Sequence, residues 1–207
     1  MGKARVEAFS DGVIAIAITL LVLDIHVPEP GGGGSLATRL GNQWPSYTAY
    51  VVSFLTIGII WINHSAMLRR LVAVDHTILF LNLILLMTIG VLPFSTALMA
   101  AYLKESHGQH LAAVIYGGSF ELMAIAFFAM HRRILGAKAH LLHESVTPDV
   151  RRWVLRRNAA GLLPYAVATA AGALSPYITL VICGLVAAFY ALPGTTRGTP
   201  EDPSPAT

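Results

Sequence analysis

The chain has 207 residues, is 55% hydrophobic and carries 14 basic and 11 acidic side chains, so only 12% of its positions are formally charged. Soluble domains carry roughly twice that share. A globule this poor in charge would expose large apolar patches and aggregate, which excludes a soluble enzyme or a nucleic-acid-binding domain despite the basic pI of 9.2.

The charges also cluster. Residues 40–68, 76–103 and 158–196 hold none, and 106–131 hold only Glu121. Such runs mark helices in a bilayer, where ~20 mostly apolar residues cross the hydrocarbon. An all-α, polytopic membrane fold is predicted, with six spans at 6–27, 47–64, 76–96, 111–131, 158–174 and 177–192. The basic start reads as a retained span rather than a signal peptide, because Asp11 and Asp24 bracket it and no A-x-A cleavage site follows. Val6 stands where a myristoylation signal needs Ser or Thr. Residues 31–35 (GGGGS) form a flexible connection. Between the fourth and fifth spans, residues 136–157 are rich in His and Arg and are expected to lie on the membrane surface as an amphipathic helix.

The last charge-free run has 39 residues and would reach ~58 Å as one helix, nearly twice the hydrocarbon thickness, so it must turn once. Ser175-Pro176 is the natural break. Arg156 and Arg157 at its start are placed to snorkel to the interface. Cys183 within it reads as a small buried hydrophobe, and the tail 193–207 as disordered. Six spans with the N-terminus inside leave twelve basic residues on the inner side (Lys3, Arg5, Arg69, Arg70, Arg132, Arg133, Lys138, Arg151, Arg152, Arg156, Arg157 and Arg197) against Arg39 and Lys104 outside. The positive-inside rule therefore puts both termini in the cytoplasm.

The first span is unlike a lipid-facing anchor. It contains Ser10, Asp11, Gly12 and Thr19, and a carboxylate within a membrane helix costs about 2.5–3.5 kcal/mol on insertion scales, so it must face protein, water or a partner. At 100° per residue, Gly12, Ile16, Leu20, Leu23 and Val27 fall on one stripe that Phe9 and Arg5 continue, while Asp11 points the opposite way, into its own subunit. The partners expected for Asp11 are Asn63 and His64 after Trp61, and His76 and Asn82 at the start of the third span. A helix held in register on one side suits the lining of a pore.

These residues carry a resemblance. Arg5-Val6-Glu7-Ala8-Phe9-Ser10-Asp11, followed by Gly12-Val13-Ile14-Ala15-Ile16-Ala17-Ile18-Thr19 and closed by Val27-Pro28, resembles the RxxxFSD motif of the transmembrane protein 175 family of lysosomal and bacterial potassium channels. Trp61-Ile62-Asn63-His64 and Leu92-Pro93-Phe94-Ser95-Thr96 are similar to that family's bacterial members. The motif likeness covers the first three spans, and the last three match in hydropathy and spacing. It implies a homotetramer in a bacterial cell membrane, with the first helix of each subunit lining a central pore. By the same resemblance Ile16 is the constriction, Leu20 and Leu23 are further apolar layers, and Ala15 and Thr19 occupy positions that bear on ion preference.

Mechanistically, the chain has no TVGYG-like filter, so rings of isoleucine and leucine are expected to act as a hydrophobic gate through which potassium passes with much of its water. Asp24 and Glu29 near the outer end would concentrate cations at the mouth. Arg5 would repel cations from a lumenal position, so it is assigned to Asp11 or to lipid phosphate. The competing reading is a secondary ion- or proton-coupled transporter, for which Glu121 in the fourth span and Pro164 in the fifth are the hints. An enzyme is not expected: there is no HExxH, GxSxG or Walker loop, and His107, His110, His140 and His143 are spaced as surface residues. No cofactor or metal is expected beyond the permeant potassium ion, and the partners are lipids and further copies of the chain, not nucleic acid.

Overall fold

The computed structural model describes residues 2–30, 33–137, 141–142 and 147–191. Gly31 and Gly32 of the expected flexible connection, Lys138, His140 and His143 of the basic loop, and the tail 193–207 with Arg197 lie outside the described residues. Among the described residues the secondary structure is helical, apart from one bridge between Leu71 and Leu142.

Helix α1 spans Lys3–Leu20 and ends in a 3-10 turn at Leu21–Asp24. A short α2 (Leu36–Asn42) starts at Ser35, whose hydroxyl accepts from the Thr38 amide. Helix α3 (Trp44–Arg69) begins with Pro45, where the missing amide hydrogen costs nothing. Helix α4 (His76–Tyr102) is capped by Asp75, whose carboxylate accepts from the Ile78 amide at 2.9 Å. Helix α5 (Gln109–Arg132) follows Gly108, held at φ +84°, and closes in a π turn at Arg133–Ala137.

Four segments are long and apolar enough to cross a membrane: Lys3–Asp24, Trp44–Arg69, His76–Tyr102 and Gln109–Ala137. The last two expected spans, 158–174 and 177–192, fall on shorter helices. Before them, in the segment expected to form an amphipathic surface helix, comes a polar helix α6 (Pro148–Ala160), capped by Thr147, in which only Val154 is buried. Gly161 then separates α6 from α7 (Leu162–Gly172), and Pro176 opens α8 (Pro176–Ala191). At 1.5 Å per residue α7 is about 17 Å long and α8 about 24 Å, against ~30 Å of hydrocarbon. The turn at Ser175-Pro176 lets these two short helices pack antiparallel.

Helix α5 is the hub. It packs on α4 and α7, α1 lies on α3 and α4, and α8 fills the space between α3, α5 and α7. Tyr116 and Phe120 of α5 are fully buried and meet edge to face at 4.8 Å, and Tyr165 of α7 stacks on Phe120. Close approach of α5 and α7 depends on glycine: a Cβ on Gly172 would stand 2.8 Å from the Val114 amide nitrogen and 3.0 Å from the Ala113 carbonyl carbon. Gly172→Ala gains about 1 kcal/mol of helix propensity but overpacks against backbone that cannot rotate away, a cost of about 1–3 kcal/mol. The variant should melt at a lower temperature than the parent; an equal or higher melting temperature would contradict this packing.

The charges sort by helix end. Lys3 donates to the Arg69 carbonyl, Val72 donates to the Leu141 carbonyl, and Arg157 reaches Asn63 of α3, so these segments share one end of the bundle. That end carries ten of the twelve described Lys and Arg residues. At the other end Lys104 lies over the ring of Trp44, which stacks on Tyr177, and Arg39 donates to the Glu29 carbonyl.

Candidate functional site

Helix α1 buries Val6, Ser10, Ile14, Ala17 and Leu21, spaced three and four apart on one arc. The proposed pore stripe lies to one side of that arc. Phe9, Ile16, Leu20, Leu23 and Val27 are all exposed in the single chain, Ile16 at 61% and Leu23 at 68%, while Ile14 two positions earlier is at 1%. Gly12, Ala15 and Thr19 are exposed beside them. Thr19 Oγ1 donates to the Ile16 carbonyl at 2.9 Å, which commits its proton to the backbone and leaves its oxygen lone pairs facing outward.

The anchoring of α1 corrects one expectation. Asp11 is not the buried polar group; Ser10 is. Asp11 sits at the opposite edge of the buried arc from the stripe, where its Oδ1 accepts from the Trp61 indole at 2.8 Å and the residue stays exposed. That placement avoids the cost of burying an unpaired carboxylate. Its partner is therefore Trp61, not Arg5, Asn63, His64, His76 or Asn82.

Behind Ser10 runs a buried chain whose direction is set at every link. Ser10 Oγ donates to the Val6 carbonyl at 2.8 Å, so its oxygen accepts from Asn82 Nδ2 at 2.9 Å. Asn82 Oδ1 must then accept from His64 Nε2 at 2.7 Å, which makes His64 the Nε2–H tautomer. His64 Nδ1 is buried with no hydrogen-bond partner among the described residues. Three helices are thus pinned at one point: α3 through His64, α4 through Asn82 and α1 through Ser10.

The other residues singled out from sequence are placed elsewhere. Asn63 donates to the Ile59 carbonyl and accepts from Arg157 at 3.4 Å, outside the Ser10 chain. Arg5 is exposed, one-third of a turn from Asp11, and makes no side-chain hydrogen bond or ion pair among the described residues, so its assignment to Asp11 is corrected. Phe9 and His76 are exposed, His76 as the first residue of α4. Asp24 is half-buried in the 3-10 turn, its backbone carbonyl bonded to His26 Nδ1 and its Oδ2 without a partner among the described residues. Glu29 is exposed. Glu121 is half-buried on α5, with one carboxylate oxygen buried and unpartnered among the described residues. No three His, Cys, Asp or Glu side chains among the described residues are grouped to hold a metal ion.

The Trp61–Asp11 bond and the reach of Arg157 to Asn63 are the contacts that spacing alone does not identify. Trp61 belongs to the expected network around Asp11 without being assigned as its hydrogen-bond donor, and Arg157 is expected to snorkel. An indole donor two residues before Asn63 and three before His64 is the available signal for Asp11.

Residues 5–93 match the family described as the endosomal/lysosomal potassium channel TMEM175. The chain is 45% identical over 188 residues to a potassium channel of Streptomyces collinus, covering 91% of both chains. It is 36% identical over 155 residues to an endosomal/lysosomal proton channel TMEM175 of Gallus gallus, covering 71% of this chain and 30% of that one. Its fold is similar to the crystal structure of a lysosomal potassium-selective channel TMEM175 homolog from Chamaesiphon minutus, with TM-score 0.79 and 33% identity over 91% of this chain and 96% of that one.

Proposed function

The chain belongs to the TMEM175 family of ion channels, and from that membership we propose that it conducts potassium through a pore lined by α1. The observation that carries the reading is the exposed apolar stripe of α1. Large hydrophobic side chains at Ile16, Leu20 and Leu23 stand in the open on a helix whose neighbouring face is fixed by the Ser10–Asn82–His64 chain. One subunit offers one such stripe, so copies are required to close a channel, and a ring of four α1 helices is the arrangement the family suggests.

In that ring Ile16 forms the narrowest layer. Aliphatic side chains supply no ligands to replace the hydration shell of an ion; a narrow ring dewets and blocks, and a slightly wider one passes ions with much of their water. Thr19 adds outward-facing hydroxyl oxygens next to that layer, and Ala15 adds none. Asp24 and Glu29 lie toward the far end of α1, where four copies of each would raise the local cation concentration. Six crossings, with α7 and α8 as a short antiparallel pair, place the basic end in the cytoplasm of a bacterial cell by the positive-inside rule.

The reading is tested by bilayer recording of the purified protein with potassium on one side and sodium on the other. A channel gives unitary currents that follow the electrochemical gradient and a reversal potential displaced toward that of potassium. Saturating flux with counterflow would identify a coupled transporter instead. Currents that follow a proton gradient alone would replace potassium by protons as the permeant ion.

A further inference from the structure

At the basic end, α3, α5 and α6 enclose a cavity of ≈ 170 Å³ that the pore does not use. Arg70, Arg157, Asn158, Asn63 and Trp153 line it, and among the described residues no acidic side chain does. The acids described at this end are engaged elsewhere: Glu7 with Lys3, Asp149 with Arg152, and Asp75 at the amide capping α4. Burial and the like charges of Arg157 and Arg69 push the Arg70 guanidinium below its ordinary pKa. The Nδ2 donor of Asn158 is buried without an acceptor among the described residues. Arg157 is held in place by the Asn63 side chain and by the faces of Trp153 and Tyr190, at 5.3 and 5.8 Å.

Arg157 also stands at the mouth of a second space, an open groove of ≈ 540 Å³ between α7 and α8. Below Arg157 its walls are apolar, formed by Pro164, Ile182, Leu185, Val186 and Phe189. A cation-lined cavity joined through one arginine to an apolar groove has the two-part chemistry of an anionic phospholipid. We propose that this is a binding site for such a lipid, its phosphate between Arg70, Arg157 and Asn158 and an acyl chain in the α7–α8 groove. The proposal rests on the membrane location of the chain and not on conduction.

The site explains why α6 is polar yet docked. In a bilayer its arginines would meet the headgroup layer, and the amphipathic rings of Trp153 and Tyr190 would be favoured beside it. A bound lipid would add a further link among α3, α6 and α8, which Arg157 already bridges through Asn63 and Tyr190.

The test is native mass spectrometry of the detergent-purified protein titrated with phosphatidylglycerol, phosphatidylcholine or soluble glycerol phosphate. Phosphatidylglycerol should be retained, the other two not. Arg70→Gln and Arg157→Gln should each weaken retention roughly tenfold, as expected for loss of a charge-assisted hydrogen bond. Leu185→Trp, filling the groove at an exposed position, should weaken it as well, and Arg156→Gln, on the exposed side of α6, should not. Equal retention of phosphatidylcholine, equal binding of glycerol phosphate, or retention unaffected by both the arginine and the Leu185 variants would overturn the site. So would a groove closed to lipid by a second copy of the chain. Binding is read without an ion gradient, so its failure leaves the channel reading standing, and a failed channel reading leaves this site standing.

Discussion

Replacing Ile16 with asparagine is expected to raise potassium flux into liposomes by about tenfold or more and to bring the potassium-to-sodium ratio toward unity. The physical basis is the wetting of a narrow ring. In the proposed ring, isoleucine side chains offer water nothing to bond to, whereas amides of smaller volume offer both donors and an acceptor. A drop of about 1.4 kcal/mol in the barrier already multiplies the rate by ten. Ile16 is exposed in the single chain, so the change removes no contact on which folding of the subunit depends. Ile14→Asn makes the contrast, since Ile14 is buried against the core: that variant should lose stability instead of gaining conductance. Unchanged flux through intact Ile16→Asn channels would remove Ile16 from the gate.

Asn82→Leu should be the most damaging substitution away from the stripe. The size of the effect follows from which group is left behind. A hydrogen bond between membrane helices averages about 0.6 kcal/mol because the separated helices find other partners. Orphaning a buried polar group costs about 1–3 kcal/mol, and Asn82→Leu orphans His64 Nε2, whose ring already has one unpartnered nitrogen. Ser10 is less affected, since it still donates to the Val6 carbonyl. Thermal unfolding of the purified protein should therefore shift clearly downward. The double variant Asn82→Leu with His64→Leu should recover part of the loss by removing both ends of the bond. A single variant as stable as the parent would mean that the buried chain does not hold the three helices together.

The same variants separate anchoring from conduction. Asn82→Leu acts on the face of α1 that touches α3 and α4, and Ile16→Asn on the face that touches neither. If α1 is positioned by the buried chain, loosening it should also raise leak, but only together with lower stability.

Much of this protein is legible in the order of its residues. The scarcity and clustering of charge require a membrane, because a bilayer tolerates charge only at its faces. The 100° step of a helix is enough to gather Ile16, Leu20 and Leu23 onto one stripe before any fold is known. The motif around Phe9-Ser10-Asp11 is enough to suggest the family. Each of these is local, carried by residues within a few turns of one another.

What the tertiary structure decided is which side of α1 meets the protein. Periodicity separates faces but not their occupants, and Asp11, the most expensive residue to bury, drew the polar role that belongs to Ser10. The bonds that settle it join residues 72 positions apart for Ser10 and Asn82 and 50 apart for Asp11 and Trp61, distances over which sequence spacing carries no information. The meeting of Arg70 with Arg157 at one cavity, and the packing of α7 against α5, have the same origin. They depend on how helices pack side by side, and that is decided by the close approach of glycines such as Gly172 to a neighbouring backbone rather than by the hydropathy of either helix.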